Sequence, residues 1–264
     1  LPRLETNVPG QTGDVLVRGV RLSRSLRRDA QGAIQNGTAS FRCSRVEAHA
    51  ADWGGVRAES VALSSGTERS NGLLRTETEL RFEKGHIGEV AIRQSDFRVL
   101  LENLDGQALR QWRDLLSQYP KDVSRKQLQG IAKDLLSASP RMNTAELRMQ
   151  TGEGEVRLDA SASFNGTGDL SVRNSRQMLD RFTMQSSLSV PLSIGVRLAT
   201  IPVRFMGVLN QGEGAGALNG DKERQAKNWL KKLVDLGYIS KDLGRYSLSL
   251  KLEKGLLSVS DKPV

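Results

Sequence analysis

The chain has 264 residues, of which 38% are hydrophobic and only 5% aromatic. This composition suits a thin, open β-rich architecture better than a compact enzyme, and we expect one elongated domain over residues 1–264, with possible halves at 1–140 and 141–264. The net charge of +9 favours anionic partners without specifying one. A single cysteine excludes an intrachain disulfide, and two histidines argue against a zinc or iron site.

The first third of the chain shows weak strand patterns, at Val15–Leu22, Phe41–Ala48 and Val56–Leu63. Five arginines accompany the first pattern, at Arg18, Arg21, Arg24, Arg27 and Arg28. We expect them to form a basic ridge, and we predict that Arg18, Arg21 and Arg24 contact an anionic partner. A solvated strand end is the simpler interpretation of the same arginines.

Strict alternation of apolar and polar residues, which is typical of a half-buried strand, runs from Leu74 to Glu83 and again from Glu155 to Phe164. Further strands are predicted at Val90–Arg93, Phe97–Leu101, Ala145–Gln150, Phe182–Val190, Tyr246–Leu252 and Leu256–Val259. Turn-forming pairs lie between strands, at Asn36-Gly37, Asn71-Gly72, Lys84-Gly85, Asn165-Gly166 and Lys254-Gly255. The pattern predicts an antiparallel meander with one face in water.

Three amphipathic helices are predicted within the meander. Asp105 caps the first helix, Ser124 and Gln127 form a capping box for the second, and the third runs from Asp221 to a stop at Gly237. Their apolar faces are expected to bury Leu109, Trp112, Leu115, Leu116 and Tyr119; Leu128, Ile131, Leu135 and Leu136; and Ala226, Trp229, Leu230, Leu233 and Val234.

One further helical turn is expected at Ser175–Arg181 and a kinked helix at Leu192–Leu209, while the glycine-rich segment 211–220 is predicted to be a flexible loop. The fold class predicted from these elements is α+β. We expect an elongated, curved, mostly antiparallel meandering sheet with three to five helices packed on one face.

No motif indicates catalysis. The chain has no Gly-x-Ser-x-Gly, and its carboxylate pairs, Glu77 with Glu79 and Glu153 with Glu155, fit a solvated strand face and a turn. The three tryptophans are far apart in sequence, which argues against stacking on nucleic acid. We expect a protein that is not an enzyme, has no cofactor and does not bind nucleic acid.

The segment from Val190 to Leu209 is the most apolar part of the chain, but Arg197, Arg204 and two prolines argue against a membrane span. We predict that its side chains contact an apolar ligand or a membrane surface, with the two arginines meeting anionic headgroups. Packing over the sheet is the alternative. The candidate contacts are Ile194, Leu198, Ile201, Phe205, Arg197 and Arg204.

Four segments together resemble the bacterial DUF945 family, also called YdgA-like. They are Leu101-Glu-Asn-Leu-Asp105-Gly-Gln-Ala-Leu109, Leu188-Ser-Val-Pro191, Leu233-Val-Asp-Leu-Gly237-Tyr-Ile and the hairpin from Tyr246 to Pro263. The resemblance extends from about Asp14 onward. It departs at Ser260-Asp261-Lys262-Pro263, where the family usually has Asn-Gly-Lys-Pro.

Members of this family are longer and typically begin with a membrane anchor, and the family has no assigned activity, cofactor or catalytic residues. The resemblance implies that this chain is the periplasmic C-terminal portion of a protein tethered to the inner membrane. We therefore expect a cell-envelope protein that binds a lipid or another amphipathic ligand along the apolar sheet face. The alternative is a scaffold for envelope assembly or motility, which binds another envelope protein, or a second copy, through an exposed strand edge or the basic ridge.

Overall fold

The computed structural model describes residues 13–28, 34–50, 55–87, 90–117, 125–167, 175–199 and 221–263. Within these residues fourteen strands form a single sheet in which each neighbouring pair is antiparallel. The strands are β1 (Gly13–Arg18), β2 (Arg21–Arg28), β3 (Ile34–Ala50), β4 (Val56–Ser70), β5 (Leu73–Phe82), β6 (Lys84–Ile87), β7 (Val90–Asp105), β8 (Arg141–Thr151), β9 (Gly154–Phe164), β10 (Phe182–Pro191), β11 (Ser240–Asp242), β12 (Arg245–Glu253), β13 (Leu256–Val259) and β14 (Lys262–Pro263).

The strand order follows the chain almost throughout, as expected for a meander. The main path is β1-β3-β4-β5-β7-β8-β9-β10-β12-β13-β14, with β2 also on β3, β6 on β4 and β7, and β11 on β12. The described helices are α1 (Gly106–Ser117), α2 (Arg125–Ser137), α3 (Ser175–Asp180), α4 (192–199) and α5 (Asp221–Asp235). The predicted α+β class and the mostly antiparallel sheet are confirmed. The glycine-rich segment 211–220 lies outside the described residues.

The predicted helix boundaries agree with the structure where it describes them. The Asp105 carboxylate caps α1, because its Oδ1 accepts hydrogen bonds from the backbone N–H groups of Gln107 and Ala108, both at 2.8 Å. At the end of α5, Gly237 has a φ of +71° and its N–H donates to the Val234 carbonyl at 2.8 Å. Ser124 and Tyr119 lie outside the described residues.

Two tryptophans expected in the core are instead partly in water. Trp112 is 40% exposed and Trp229 is 43% exposed, whereas Ala226 and Leu230 on the same helix as Trp229 are almost fully buried. Ala226 and Leu230 stand one helical turn apart, so they define the packed line of α5, and Trp229 lies at its margin. Leu128 of α2, at 38% exposed, departs from the prediction in the same way, while Ile131 is buried.

Two predicted turns are wrong. Asn36-Gly37 lies inside β3, opposite Glu68 and Thr67, and Lys84-Gly85 begins β6. A Cβ at position 85 would lie 2.5 Å from the Arg57 carbonyl oxygen, so Gly85 permits close approach of two strands. By contrast, Asn71-Gly72 and Lys254-Gly255 form the predicted hairpin turns, with positive φ at both residues of each pair.

An irregularity interrupts the regular pairing of β3 with β4 and explains why the sequence patterns of these two strands are weak. Ser44 and Ser60 are missing from the ladder between β3 and β4, Ser60 has a φ of +53°, and the register of β7 shifts between Ile92 and Gln94. On β3 the apolar residues just before the irregularity have odd numbers, up to Cys43, and those after it have even numbers, from Val46 onward. On β4 the apolar residues have even numbers up to Ala58, and the larger ones have odd numbers from Val61 onward. A simple alternation therefore cannot continue through either strand.

The cores of the described residues are small and lie where α4 meets the sheet. One cluster joins Val196 and Ala199 of α4 to Ala226 and Leu230 of α5, with Tyr246 of β12 packed against it. The second joins Ile194 of α4 to Val156 of β9 and Val190 of β10. No large side chain among the described residues is less than 2% exposed, which is consistent with an open sheet.

Candidate ligand surface on the apolar face

One row of large apolar side chains crosses nine strands of the sheet. In an antiparallel sheet, residues paired in register project from the same face, so the pairing defines the row directly. We call it the apolar row, and it consists of Leu22, Phe41, Leu63, Leu80, Phe97, Leu147, Leu158, Leu188 and Leu248. We call the face that carries it the apolar face.

The apolar row is only partly covered. Leu22 is 72% exposed and Leu63 is 38% exposed, and the other seven members are half-buried. Strands in a sheet lie about 4.8 Å apart, so the eight intervals of the row span about 38 Å. A long row of leucine and phenylalanine in partial contact with water is unusual in a folded domain, and such surfaces commonly bind apolar groups.

Two further rows run beside the apolar row on the same face. The nearer consists of Arg24, Ala39, Ser65, Thr78, Val99, Ala145, Ala160, Ser186, Leu250 and Val259. The next consists of Leu26, Gly37, Thr67, Thr76, Leu101, Met142, Ala162, Met184, Leu252 and Leu257. Hydroxyl pairs bridge β4 and β5 in both rows, at 3.1 Å between Ser65 and Thr78 and at 3.1 Å between Thr67 and Thr76.

The structure separates the residues of the apolar segment that we predicted to contact a ligand. Ile194 is 3% exposed and packs against Val156 and Val190, so it is a core residue of α4. Leu198 is 45% exposed. The Arg197 guanidinium lies 3.0 Å from the Glu153 carboxylate and so ties α4 to the turn between β8 and β9. Ile201, Phe205 and Arg204 lie outside the described residues.

The three arginines that we predicted to contact an anionic partner do not lie on one face. Arg21 pairs with Arg42 and Arg24 with Ala39, so Arg24 shares the apolar face with Leu22 while Arg21 lies on the opposite face. Their spacing of three residues would align them on a helix, but side chains of a strand alternate. Arg18 belongs to β1, where it pairs with Arg45.

The opposite face, which we call the polar face, is covered by neighbouring opposite charges. The Arg81 guanidinium lies 3.1 Å from Asp96, and Arg157 lies 2.8 Å from Asp159. The hydrogen bond that Arg157 donates to Asp159 raises the pKa of Arg157 above its ordinary value. Ion pairs of this exposed type keep a sheet face soluble while contributing little to stability.

A shallow polar depression of about 700 Å³ lies on the polar face between β9, β10 and β12. Its floor is organised by Arg245, which donates to the Ser189 hydroxyl at 2.9 Å and to the Glu155 carbonyl at 2.7 Å. Arg245 is therefore already engaged by the protein, and Arg157 on the rim is paired with Asp159. Both arginines of the depression are thus engaged, and serine hydroxyls make up much of its lining.

Other perturbed groups have local structural causes. Burial raises the pKa of the Cys43 thiol above its ordinary value, which is opposite to the shift that activates a nucleophilic cysteine. On α5, the hydrogen bond and ion pair with Lys227 lower the pKa of Glu223 below its ordinary value. On β12, Lys251 lowers the pKa of Glu253 in the same way. Within the described residues, no three His, Cys, Asp or Glu side chains are grouped to hold a metal ion.

Sequence reasoning found the members of the apolar row one strand at a time but missed the row itself. Alternation assigned Leu80 and Leu158 to a dry face, yet nothing local to either strand states which residue stands opposite. Only the register, which depends on turns and on the irregular line through Ser60, brings the nine residues together.

Comparison with known proteins identifies a family and no more specific relative. Among the described helices, none has the length and hydropathy that a membrane span requires. No curated protein and no solved structure matches the chain. The family model described as a bacterial protein of unknown function, DUF945, matches residues 1–264, and the chain therefore belongs to the DUF945 family.

Proposed function

We propose that this chain is a non-enzymatic protein of the bacterial cell envelope, a periplasmic domain of a protein anchored in the inner membrane. Its function is to hold the hydrocarbon chain of a lipid or another amphipathic ligand along the apolar row. The observation that carries the proposal is the row itself, nine leucine and phenylalanine residues in one register line, all at least partly exposed.

The dimensions of the row support a hydrocarbon ligand. The hydrocarbon core of a bilayer is about 30 Å thick, so one leaflet contributes about 15 Å of acyl chain. A row of about 38 Å therefore has room for an extended acyl chain and for movement along the sheet. Each methylene group removed from water contributes about 0.8 kcal/mol, so a chain of ordinary length gains enough to bind even a half-open surface.

The helices and the shape of the sheet complete the proposed site. We infer that the sheet is curved and that the helices lie on its apolar face, with α1 and α2 at one end of the strands and α4 and α5 at the other. Two contacts support this arrangement. Leu74 on β5 packs beside Gly106 at the start of α1, and Ile194 of α4 packs on Val156 and Val190. The central row then forms the floor of a trough between two helical walls.

The proposed ligand surface lies on the sheet, whereas the contacts predicted from the sequence lie in the apolar segment that contains α4. The predicted contacts in α4 are divided between the core and the surface, with Ile194 buried and Arg197 paired with Glu153. In the present proposal, α4 is a wall of the trough and the apolar row is the surface that holds the ligand. Leu198, at 45% exposed, remains available to contact a ligand from this wall.

Binding of a neutral apolar dye, Nile red, and its displacement by a lysolipid test the proposal. Leu147→Asn and Leu158→Asn place amides in the middle of the row and are expected to weaken dye binding about tenfold each, equivalent to about 1.4 kcal/mol. Ser187→Asn is the matched control, because Ser187 is exposed and lies in register with Asp159 on the polar face. The proposal fails if the folded protein binds no dye, or if all three variants behave alike.

A second candidate function rests on the open edge of the sheet. Within the described residues β2 has one strand neighbour, β3, so its other side is an edge of the sheet to which a partner strand can be added. We propose a protein scaffold as the alternative, in which this edge pairs with a partner strand. A crosslinking pull-down should then recover one discrete protein, and Arg21→Glu should weaken its capture. Recovery of no discrete protein would oppose this alternative.

A further inference from the structure

The apolar face is chemically graded along the direction of its rows. In the row that contains Arg24, the neighbouring members on β4 and β5 are Ser65 and Thr78, and those on β7 and β8 are Val99 and Ala145. The face is therefore cationic and hydroxyl-bearing near β2, and from β7 onward its three rows are apolar except for Ser186 on β10. An amphiphile has the same gradation, from a polar headgroup to a hydrocarbon tail.

Arg24 lies in the row next to the apolar row on this face. The three rows that cross the sheet through Leu22, Arg24 and Leu26 contain, among the described residues, no other charged side chain. Arg24 is exposed, and no carboxylate of the described residues forms an ion pair with it. Beside it, Leu22 is 72% exposed, so the apolar row is open at this end.

We propose, resting on the function proposed above, that the ligand is an anionic lipid whose headgroup lies on Arg24 while its hydrocarbon chain follows the row toward β8 and β9. The exposed Leu22 marks the end at which the ligand enters. Positive charge attracts the anionic headgroup, and the hydroxyl pairs on β4 and β5 accommodate polar groups next to it. The guanidinium suits a phosphate headgroup because its N–H donors fit phosphate oxygens in pairs.

The same strand offers a matched control for the role of Arg24. Arg27 is exposed and has the same charge. It lies three residues after Arg24 on β2, in register with Asn36, so its side chain is on the polar face. Substituting Arg27 changes the net charge of the protein and of the β2 edge by the same amount as substituting Arg24. Of these two arginines, however, only Arg24 lies on the face that carries the apolar row.

The test compares two lysolipids of the same acyl chain, anionic lysophosphatidylglycerol and zwitterionic lysophosphatidylcholine, below their micelle concentrations. Displacement of Nile red from the full chain is measured at low salt. We expect the wild-type protein to prefer the anionic lysolipid by about three- to fivefold, the upper part of the range for one exposed ion pair. The preference should fall toward one in about 0.5 M salt, where the screening length is about 4 Å.

Arg24→Gln should abolish the preference, because it weakens binding of the anionic lysophosphatidylglycerol more than binding of the zwitterionic lysophosphatidylcholine, whereas Arg27→Gln should keep the preference. The inference is overturned if the wild-type protein binds both lysolipids equally, or if the two variants lose the preference to the same degree, which would indicate general electrostatic attraction. These results would leave the proposed function intact. Failure of both lysolipids to displace the dye would contradict the proposed function itself.

Discussion

Gly195 offers the sharpest test of how α4 lies against the sheet. A Cβ at this position would lie 2.5 Å from the Cδ2 atom of the Tyr246 ring and 3.3 Å from a methyl group of Val190. Real Cβ atoms do not approach other carbon atoms this closely, so Gly195→Ala must displace α4, the ring or both. Gly195 is thus the residue that lets α4 approach Tyr246 of β12 closely.

Two opposing effects set the size of the change. Alanine improves helix propensity by about 1 kcal/mol, whereas overpacking a well-filled contact costs about 1–3 kcal/mol. We expect Gly195→Ala to lower the free energy of unfolding by up to about 2 kcal/mol, or the melting temperature by up to about 8 °C for a chain of this length. Gly130→Ala on α2 is the control, since a Cβ there has no neighbour within 4 Å.

Gly130→Ala should raise the free energy of unfolding by about 0.5–1 kcal/mol, so the same substitution is predicted to have opposite signs in two helices. Urea unfolding of both variants measures the difference. A double-mutant cycle with Tyr246→Val locates its origin, because removing the ring should relieve most of the cost of alanine at position 195. If Gly195→Ala is as stabilising as Gly130→Ala, the packing of α4 on Tyr246 is refuted.

Two further predictions concern single residues. Asp105→Ala should lower the free energy of unfolding by about 1 kcal/mol, because it removes the acceptor for two N–H groups at the start of α1. Asp114→Ala, at an exposed position in the same helix, is the control and should change the free energy of unfolding far less. Equal effects of the two substitutions would refute the capping role. Burial raises the pKa of Cys43 in the folded state above its ordinary value of 9.0. As the pH rises through that value the unfolded chain loses the proton first, so stability should fall. The difference in unfolding free energy between wild type and Cys43→Val should shrink between about pH 8 and pH 10, and a constant difference would contradict the raised pKa.

The sequence predicted most elements whose cause is local. The alternation in β5 and β9, the Asp105 cap and the Gly237 stop each depend on residues within a few positions, and each was found. The same type of local signal failed at Asn36-Gly37. Gly37 lies against Leu26 of β2, whose Cδ1 atom would be 2.7 Å from a Cβ at position 37. The glycine is therefore explained by a contact between two strands and not by a turn.

The candidate site depends on register, which the sequence does not state. Leu80 and Leu158 were each assigned to a dry face, but their alignment in one row requires every hairpin between them to pair in one particular way. The arginines of β2 show the same limit. We expected them to form a common ridge, and only their strand geometry separates Arg24 from Arg21.

Photolabelling tests the central claim most directly. A fatty acid with a diazirine in its chain is bound to the full protein, activated with light, and the labelled residues are mapped by mass spectrometry. The account predicts label on Phe97, Leu147 and Leu158, competed by unlabelled lysolipid, and little label on Ser187 of the polar face. Label spread evenly over both faces, or confined to the polar face, would contradict it.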